Sequence, residues 1–492
     1  MNYFVKNMLP EEQNLIPYLP TTSDFLRFIA DRYGERTALS DAVRSVDYCV
    51  LEKHVGQKRS FLNLHQIPAG AHVGLMSRNS IDAVEWFLAV TSYGCAAVMM
   101  PASLQAEILP GIAAHLELQL LITDDEELSS RGHIDDTPII STACAGEGYC
   151  LPANTTPGDL AAIFFTGGTT GKPKGAMLSH GALMRGALNG SYRRGTVFGQ
   201  TFVAALPFTH VFGMIFSLLS GLYTGSHVAV CGEMRNLFRE MQRAKPTTMI
   251  AVPGMAELML KMAKSHGASV LGSRLKLIIC GAAPVPERLR KGFLPLGVDV
   301  LAGYGMTETA NLVSGNLDMD THPTSVGKQY PEQRLRIVEG ELQLQGDMLF
   351  DGYWKDEAAT KAAFTEDGWF RTGDLAKVDD LGYLYITGRI KNLIILENGE
   401  NVSPEEVEDF YYACQMVKDC LISETVINGK AAILLEVQPQ PEVQEQALLD
   451  ELQQLTKKLP PPMRPARIEI RHSDFERSAS MKIIRKGARK HD

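Results

Sequence analysis

The sequence predicts an α/β fold, with a large N-terminal domain of helix-covered, mainly parallel sheets, a small β-rich subdomain, and a smaller α+β C-terminal domain. The chain has 492 residues, more than a single hydrophobic core usually supports. Short apolar runs alternate with amphipathic stretches as far as about residue 318, a pattern typical of parallel strands joined by helices. Beyond that point short strands alternate with Gly and Asp turns. We expect two domains, residues 1–388 and 389–492.

The first apolar runs alternate as such a fold requires. The pattern predicts a helix near Ser23–Tyr33, a strand at Val73–Met76, a helix at Ile81–Tyr93 and a strand at Ala96–Met100. Leu160–Ile163 follows as a further buried strand. Ligands of open α/β sheets bind beyond the carboxyl ends of the strands, so we expect functional loops after Phe165, Cys280 and Ala302.

The segment Phe164–Gly175 continues from that strand and is rich in glycine, threonine and lysine. Glycines let backbone N–H groups approach an anion, and hydroxyls and lysines add donors and positive charge. The segment therefore suits a polyphosphate. It is not a Walker A loop, since three residues, not four, separate Gly167 from Gly171, and Pro173 stands where a hydroxyl residue is needed. A flexible surface loop is the alternative interpretation.

No Asp, Glu, Lys or Arg occurs between Arg194 and Glu233. Prolines, glycines and hydroxyl residues interrupt this stretch too often for a spanning helix, so we expect no integral membrane segment. The stretch instead predicts a strand at Phe202–Leu206 and a loop that contains His210. A buried helix at Phe212–Leu222 and a second strand at Val228–Cys231 follow. The alternation then continues through helices at Met234–Arg243, Met255–Lys264 and Pro286–Phe293 and strands at Thr247–Val252, Leu275–Cys280 and Val298–Ala302.

Composition excludes several classes of protein. Apolar residues make up 45% of the chain and charged residues 21%, which is ordinary for a globular protein. The net charge of −9 argues against a nucleic-acid partner. The eight cysteines form no Cys-x-x-Cys pair, which favours reduced thiols in the cytoplasm and indicates no zinc site. The first 24 residues lack a long apolar core, so we expect no signal peptide.

The last third of the chain has its own pattern. Short strands are predicted at Leu335–Val338, Glu341–Leu344 and Gly382–Ile386. Ser403 then stands at an N-cap, with Pro404 at the first helical position and Glu406 at the third, which predicts the start of a helix.

Four more segments contain chemically useful residues. They are Ala302–Thr309 (AGYGMTET), Trp369–Leu375 (WFRTGDL), Gly388–Asn392 (GRIKN) and Arg477–Arg485 (RSASMKIIR). Each has an ordinary interpretation by itself: a strand end, a β-turn, a charged linker and a basic tail.

Together and in this order, the five segments resemble the adenylate-forming superfamily, which contains acyl-CoA synthetases, luciferases and peptide-synthetase adenylation domains. The pair of motifs TGGTTGKPKG, at residues 166–175, and YGMTET, at residues 304–309, is specific. The resemblance covers nearly the whole chain, and it implies that the C-terminal domain is mobile. The segment Pro207–Gly213 further resembles the part of acyl- and aryl-CoA synthetases that places a histidine beside the acyl pocket.

The resemblance implies a site for ATP, Mg²⁺ and a carboxylic acid. The residues implied to bind ATP are Thr166, Gly167, Gly168, Thr169, Thr170, Gly171 and Lys174 at the phosphates, Gly281, Ala282, Ala283 and Tyr304 at adenine, Thr307 at the α-phosphate, Asp374 and Arg389 at the ribose, and also Gly305 and Lys482. Glu308 would hold the metal, and Lys391 would be the hinge. Lys482, Glu308, Thr166 and His210 would act in catalysis.

The implied chemistry explains these residue types. A carboxylate that attacks the α-phosphate of ATP brings two anions together, so charge must be neutralised where it accumulates. The acid becomes an acyl-AMP with release of pyrophosphate, and coenzyme A (CoA) then accepts the acyl group. Gly167 stands where many relatives have serine, and Met481 where many have glycine. Neither departure removes a charge, so we expect an active enzyme.

The absence of one acidic residue indicates which branch of the superfamily the chain resembles. Amino-acid adenylation domains usually have an aspartate for the substrate amine, and none occurs between Arg194 and Glu233, so an uncharged acyl or aryl acid is favoured. His210, Met214, Met255 and Gly303 would line its pocket; the alternative is that the histidine is buried core and the methionines are packing residues.

CoA is the expected acceptor, since no carrier domain follows Asp492. Two alternatives remain at this point: a ligase that loads a separate acyl or peptidyl carrier protein, and a non-catalytic adenylate-binding protein. The presence of Glu308, Asp374 and Lys482 together disfavours the second.

Overall fold

The computed structural model describes residues 16–166, 173–191, 200–330, 332–396, 400–427, 430–441, 443–477 and 483–485. The α-helices of these residues are α1 (Thr22–Tyr33), α2 (Tyr48–Leu64), α3 (Ile81–Ser92), α4 (Leu109–Leu116), α5 (Glu126–Arg131), α6 (His180–Ser191), α7 (Ser220–Tyr223), α8 (Leu237–Ala244), α9 (Pro253–His266), α10 (Glu287–Phe293), α11 (Glu357–Ala363), α12 (Pro404–Tyr412) and α13 (Glu445–Lys458). A π-helix spans Phe212–Leu219, and short 3-10 helices include Thr307–Thr309 and Ile390–Asn392.

The strands of the described residues are β1 (Thr37–Ser40), β2 (Ser45–Asp47), β3 (His72–Met76), β4 (Ala96–Met100), β5 (Leu118–Thr123), β6 (His133–Ile134), β7 (Thr137–Ser141), β8 (Leu160–Thr166), β9 (Lys174–Ser179), β10 (Thr201–Ala204), β11 (His227–Val230), β12 (Thr248–Ala251), β13 (Leu277–Cys280), β14 (Asp299–Met306), β15 (Asn311–Asn316), β16 (Lys328–Gln329), β17 (Arg334–Val338), β18 (Glu341–Gln345), β19 (Gly352–Tyr353), β20 (Phe370–Val378), β21 (Leu384–Arg389), β22 (Ile394–Ile395), β23 (Asn401–Val402), β24 (Val417–Ile427), β25 (Lys430–Pro439) and β26 (Arg467–Ile470).

Two large sheets dominate the N-terminal part. One has the order β16-β15-β14-β13-β12-β10-β11-β1-β2 and the other β19-β9-β8-β4-β3-β5-β7-β6. Their central strands pair in parallel, from β14 to β1 in the first and from β8 to β7 in the second. Antiparallel strands β17, β18, β20 and β21 form a smaller sheet. The predicted fold class is confirmed.

Three hydrophobic clusters occur among the described residues. One of them, from Met76 to Ile163 along the chain, lies within the N-terminal part, and the other two are the cores of the two parts of the chain. The larger core extends along the chain from Ile16 to Leu384, and the smaller one runs from Ile394 to Leu459. The smaller core packs α12 and α13 against the three-stranded sheet β24-β25-β26. The chain therefore passes from one core to the other between residues 384 and 394, around the predicted boundary.

Strand lengths differ from the prediction at two places that matter for the site. The strand predicted to end at Ala302 continues to Met306, because β14 pairs antiparallel with β15 beyond that point. Strand β8 likewise continues to Thr166, which is the cross-strand partner of Lys174 in β9. The described residues Thr166 and Lys174, on either side of the glycines, are thus paired positions of one sheet.

Two predicted helices begin or wind differently. The apolar helix predicted from Phe212 is a π-helix as far as Leu219, followed by α7. The helix predicted from Met234 begins with a 3-10 turn before α8. The predicted start of α12 is confirmed, since Ser403 Oγ accepts a hydrogen bond from the Glu406 N–H at 3.4 Å. None of the helices in the described ranges is long and apolar enough to cross a membrane.

Each core contains a buried titratable residue with a shifted pKa, and the two shifts act in opposite directions. His180, in the large core region, is 0% exposed, and burial lowers its pKa from 6.5 to about 4. Glu408 of α12 is 8% exposed, and burial raises its pKa from 4.5 to about 7, against the opposing effect of Arg485.

The two cores are therefore expected to respond oppositely to pH. In the large core, the contribution of neutral His180 is present above pH 6.5 and is lost as the pH falls to about 4. In the small core, the contribution of protonated Glu408 is present below pH 4.5 and is lost as the pH rises to about 7. The expectation is checked by measuring amide hydrogen exchange between pH 4 and 7 and comparing β12 and β13 of the large core with β24 and β25 of the small core. Glu408→Gln should weaken the pH dependence of the small core alone; parallel pH responses of both cores would contradict the expectation.

Candidate functional site

Tyr304, Asp374 and Arg389 converge from three strands. Asp374 and Arg389 are cross-strand partners in β20 and β21. The Tyr304 phenol donates to Asp374 Oδ2 at 2.6 Å, and Arg389 Nε lies 2.6 Å from Asp374 Oδ1. The carboxylate is 1% exposed. Burial and the negative charge of Asp374 raise the pKa of Tyr304 well above its ordinary value, so the phenol stays a donor. The cluster presents an aromatic ring and an oriented carboxylate side by side.

A short turn orients Asp374. Its backbone N–H donates to Thr372 Oγ1 at 3.0 Å, and that hydroxyl donates to the Leu342 carbonyl at 2.7 Å. Gly373 adopts a φ of +69° in between, a left-handed conformation that favours glycine. The Thr-Gly-Asp sequence therefore points the carboxylate inward from β20.

Glu308 lies in the 3-10 helix between β14 and β15. Both β8 and β9 contact this helix, which brings it close to the strands that flank the glycine-rich segment. The Tyr353 phenol donates to Glu308 Oε1 at 2.8 Å, and Lys174 Nζ lies 4.9 Å from the centre of the Tyr353 ring. The half-buried residues Thr166, Lys174 and Glu308 thus belong to one region of the molecule.

Tyr353 was not among the residues predicted from sequence. Burial and Glu308 raise its pKa, so the phenol remains a hydrogen-bond donor to the carboxylate. It reaches the site because β19 pairs with β9. The aromatic stretch Phe350–Trp354 around Gly352 was the available signal, but nothing in it indicates which strand it pairs with.

The predicted adenine segment packs against the predicted acyl segment. Gly281 follows β13, and a Cβ added there would lie 2.9 Å from the Phe212 ring. Ala282 has a φ of +66°, a strained conformation for a residue with a side chain. Gly213 is equally constrained, since a Cβ would lie 2.2 Å from the Pro207 carbonyl oxygen. The two segments therefore approach closely at Gly281, whereas Gly213 allows a close approach within the acyl segment itself.

The residues predicted to line the acyl pocket differ in solvent exposure. The His210 side chain is exposed, so the alternative that it is a buried core histidine is wrong. Met214 in the π-helix and Met255 in α9 are 0% and 2% exposed and belong to the large core. Gly303 lies within β14.

The remaining predicted residues are placed as follows. Gly305 lies in β14, Thr307 in the adjoining 3-10 helix, Ala283 after β13, and Lys391 in the 3-10 helix Ile390–Asn392. Gly167, Gly168, Thr169, Thr170, Gly171 and Lys482 lie outside the described residues. No cluster of three or more potential metal ligands occurs in the part of the chain that the structure describes.

The residues on either side of Lys482 are attached to the C-terminal core. Arg477 and Ile483 form a β-bridge, and Arg477 lies 2.7 Å from an Asp419 carboxylate oxygen. Arg485 lies 2.5 Å from Glu408 Oε2 and donates to the Ile422 carbonyl at 2.9 Å. Both flanks of the lysine are therefore attached to β24, and Arg485 is also attached to α12.

A contact also joins the two cores. Arg288 of α10 donates to the Lys418 carbonyl at 3.1 Å, and its guanidinium lies 4.8 Å from the centre of the Tyr412 ring. The same guanidinium is 2.5 Å from Glu257. Arg288 thus contacts residues of both the N-terminal and the C-terminal part of the chain.

A separate cleft lies at the carboxyl ends of β3, β5 and β11, lined by Arg78, Asn79, Ser80, Asp124, Gly232, Glu233 and Asn236. Its charged groups pair with each other, as Arg78 does with both Asp124 and Glu233. None of the predicted site residues lines it.

Comparison with known proteins adds an independent line of evidence. A sequence model described as "AMP-binding enzyme" matches residues 26–354. The long-chain-fatty-acid–CoA ligase FadD15 of Mycobacterium bovis is 30% identical over 56% of this chain and 53% of its own, so the match spans about half the length of that relative. The 2-succinylbenzoate–CoA ligase of Bacillus cytotoxicus is 28% identical over 81% of this chain and 83% of its own.

Solved structures show the same fold. The anthranilate CoA ligase AuaEII, crystallised with anthranoyl-AMP, superposes with a TM-score of 0.85 at 22% identity, covering 96% of this chain and 97% of its own. At 22% identity, this similarity is evidence for a shared fold.

Proposed function

Since this chain belongs to the AMP-binding enzyme family, we propose that it is an ATP-dependent acyl- or aryl-CoA ligase. It activates a carboxylic acid as an acyl-AMP with release of pyrophosphate, and then transfers the acyl group to CoA to give a thioester and AMP. The observation that carries the proposal is the convergence of distant segments on two polar clusters. One is Tyr304 with Asp374 and Arg389, and the other is Glu308 with Tyr353 and Lys174.

The first cluster suits a nucleoside. The Tyr304 ring offers a face for adenine, and the Asp374 carboxylate accepts hydrogen bonds from ribose hydroxyls while Arg389 keeps it oriented. The second cluster suits the phosphates: Lys174 supplies positive charge and Thr166 a hydroxyl. Glu308 fits Mg²⁺, since this metal is usually bound by one or two carboxylates together with substrate phosphates. When bound, the metal neutralises phosphate charge.

The acyl side suits an acid without a charged tail. The exposed His210 lies two residues from Phe212, whose ring contacts Gly281, so the predicted acyl segment borders the nucleotide segment. Met214, Met255 and Gly303 are proposed to contribute to the pocket wall. The two curated relatives act, by their names, on a long-chain fatty acid and on 2-succinylbenzoate, which supports an organic acid as the substrate class.

The two cores correspond to two proposed roles. Residues 1–388 would bind ATP and the acid, and residues 389–492 would form a mobile lid carrying Lys482, the proposed catalytic lysine. Lys391 lies between the cores, in the 3-10 helix Ile390–Asn392, where a hinge is expected. We further propose a cytoplasmic location, which the eight free thiols favour.

Release of AMP tests the proposal directly. The protein is assayed with ATP, Mg²⁺ and a panel of fatty, aryl and amino acids, each with and without CoA. AMP that forms with one class of acid and depends on CoA supports the ligase. Acid-dependent pyrophosphate exchange without CoA turnover would favour a separate carrier protein as acceptor. Absence of exchange with every acid would overturn the catalytic proposal in favour of adenylate binding.

Substitution of Asp374 provides a sharper prediction for the nucleotide cluster. Asp374→Asn keeps the side-chain volume but removes the charge, and we expect kcat/KM for ATP to fall roughly 10- to 100-fold, the effect of losing a charged hydrogen bond. Initial rates at varied ATP concentration measure this fall. Asp367→Asn is the matched control, because that carboxylate is exposed and paired with Arg336. Equal ATP dependence in the two variants would contradict the assignment.

A further inference from the structure

Three elements meet closely behind the proposed acyl segment: α6, the π-helix and β15. A Cβ added to Gly186 would lie 2.1 Å from the Ala310 carbonyl oxygen, so α6 touches the start of β15 there. One helical turn further, a Cβ added to Gly190 would lie 2.3 Å from the Phe216 ring and 2.2 Å from Ser220 Oγ. Helix α6 is therefore pressed against both neighbours within five residues.

Each of these elements contributes a buried polar side chain at this junction. Asn189 precedes Gly190 on α6, Ser217 follows Phe216 on the π-helix, and Asn311 follows Ala310 at the start of β15. Their exposures are 0%, 0% and 2%. We call these three residues the polar trio.

The polar trio is unsatisfied within the described part of the chain. Both amide atoms of Asn189, the Ser217 hydroxyl and the Asn311 amide nitrogen have no hydrogen-bond partner there. Buried polar atoms in native proteins are nearly always paired, and an exception calls for an explanation. Here four unpaired atoms belong to three elements in mutual contact.

Another asparagine on the same strand shows what ordinary structural burial requires. Asn316 is also 0% exposed, and its amide donates to the His322 and Ser325 carbonyls at 2.7 and 2.8 Å while its oxygen accepts from the Asp318 N–H. Asn311 instead has a φ of 132°, a strained conformation for a residue with a side chain. Strain and an unpaired amide coincide at one residue.

The position of the polar trio relates it to the substrate. Asn311 comes three residues after Glu308, and Ser217 comes five residues after Phe212, whose ring contacts Gly281. In a π-helix residues five apart are joined by hydrogen bonds across one turn, so Ser217 lies one turn further along this helix than Phe212. The stacked rings of Phe212 and Phe216, 5.5 Å apart, line the interval.

We propose that the polar trio is the distal end of the acyl site and selects a carboxylic acid whose chain carries an uncharged oxygen function, such as a hydroxyl or keto group. This inference rests on the proposed ligase function. The trio offers more donors than acceptors and no formal charge, which matches a neutral oxygen. A plain alkyl or phenyl tail would leave the amides unpaired, so discrimination comes mainly from the unsatisfied groups that the wrong acid leaves behind.

Matched pairs of acids test this selection: octanoate with ω-hydroxyoctanoate, and phenylbutanoate with benzoylpropionate. We measure kcat/KM for AMP formation and, without ATP, the affinity of each acid by calorimetry. In the native protein the oxygenated member of at least one pair is expected to be preferred. Asn189→Leu and Ser217→Ala should each lower that preference roughly 10- to 100-fold. The exposed residue Asn63 provides the control Asn63→Leu, which should leave the preference unchanged.

The outcomes separate this inference from the function beneath it. If Asn189→Leu forms AMP with an unchanged preference between the paired acids, the proposed ligase function stands. The proposal that the polar trio selects the acid is then overturned, and its atoms bind water alone. If the native protein binds the oxygenated acid more tightly, Asn189→Leu loses this preference and no AMP forms, then the role of the polar trio stands and the proposed ligase function is overturned. If neither member of either pair binds the native protein, the inference is overturned. Thermal unfolding of each variant confirms that it folds.

Discussion

Replacement of Glu308 by glutamine is expected to lower acid-dependent AMP formation roughly 10²- to 10³-fold, the usual cost of losing one group that stabilises transition-state charge. Glu308 lies on the 3-10 helix that both β8 and β9 contact, beside the segment proposed to bind phosphates. The amide keeps the shape and the contact with Tyr353 but removes the negative charge that Mg²⁺ requires. Initial rates measured over a range of Mg²⁺ concentrations should show both a lower maximum and a higher Mg²⁺ requirement.

Two matched variants sharpen this prediction. Tyr353→Phe removes the phenol that donates to Glu308, and we expect a smaller loss, about 10- to 100-fold, as is typical for partners that orient a metal ligand. Glu357→Gln changes an exposed carboxylate on α11 and should have no effect. Native Mg²⁺ dependence in Glu308→Gln would exclude this residue as the metal ligand.

The second large effect is expected at Lys482, in the first half-reaction alone. Lys482→Ala should lower acyl-AMP formation roughly 10²- to 10³-fold, because the lysine is proposed to bridge the carboxylate and the α-phosphate. Thioester formation from synthetic acyl-AMP and CoA should be retained, since the attack by the thiol does not use that bridge. Separate assays of the two half-reactions distinguish this outcome from general loss of activity.

Arg485 is expected to act as a positioning residue for this lysine. Its guanidinium is held by Glu408 and the Ile422 carbonyl, three residues from Lys482. Arg485→Gln should therefore lower the first half-reaction about 10-fold while sparing the second. Lys458→Ala, on the exposed end of α13, is the control. Equal losses in both half-reactions would indicate that Arg485 serves only the stability of the small core.

Sequence reasoning reached Tyr304, Asp374 and Arg389 through the resemblance of their motifs to the adenylate-forming superfamily, and the structure brings the three side chains together. It did not reach Tyr353, because pairing between β19 and β9 joins residues about 175 positions apart. It also ended β14 too early at Ala302. The residues Gly303–Met306 have weak strand propensity by themselves and become a strand through pairing with β15.

The sequence by itself determined the alternation of strands and helices, the cap of α12 and the types of residue that the proposed site contains. These features depend on periodicity, on capping and on residue type, which are local properties of the chain. The tertiary structure alone decided which polar side chains find partners. Asn316 and Asn311 lie on one strand, and the first is fully bonded while the second is not. That difference arises from packing between α6, the π-helix and β15, because burial and hydrogen bonding depend on neighbours that are distant in sequence.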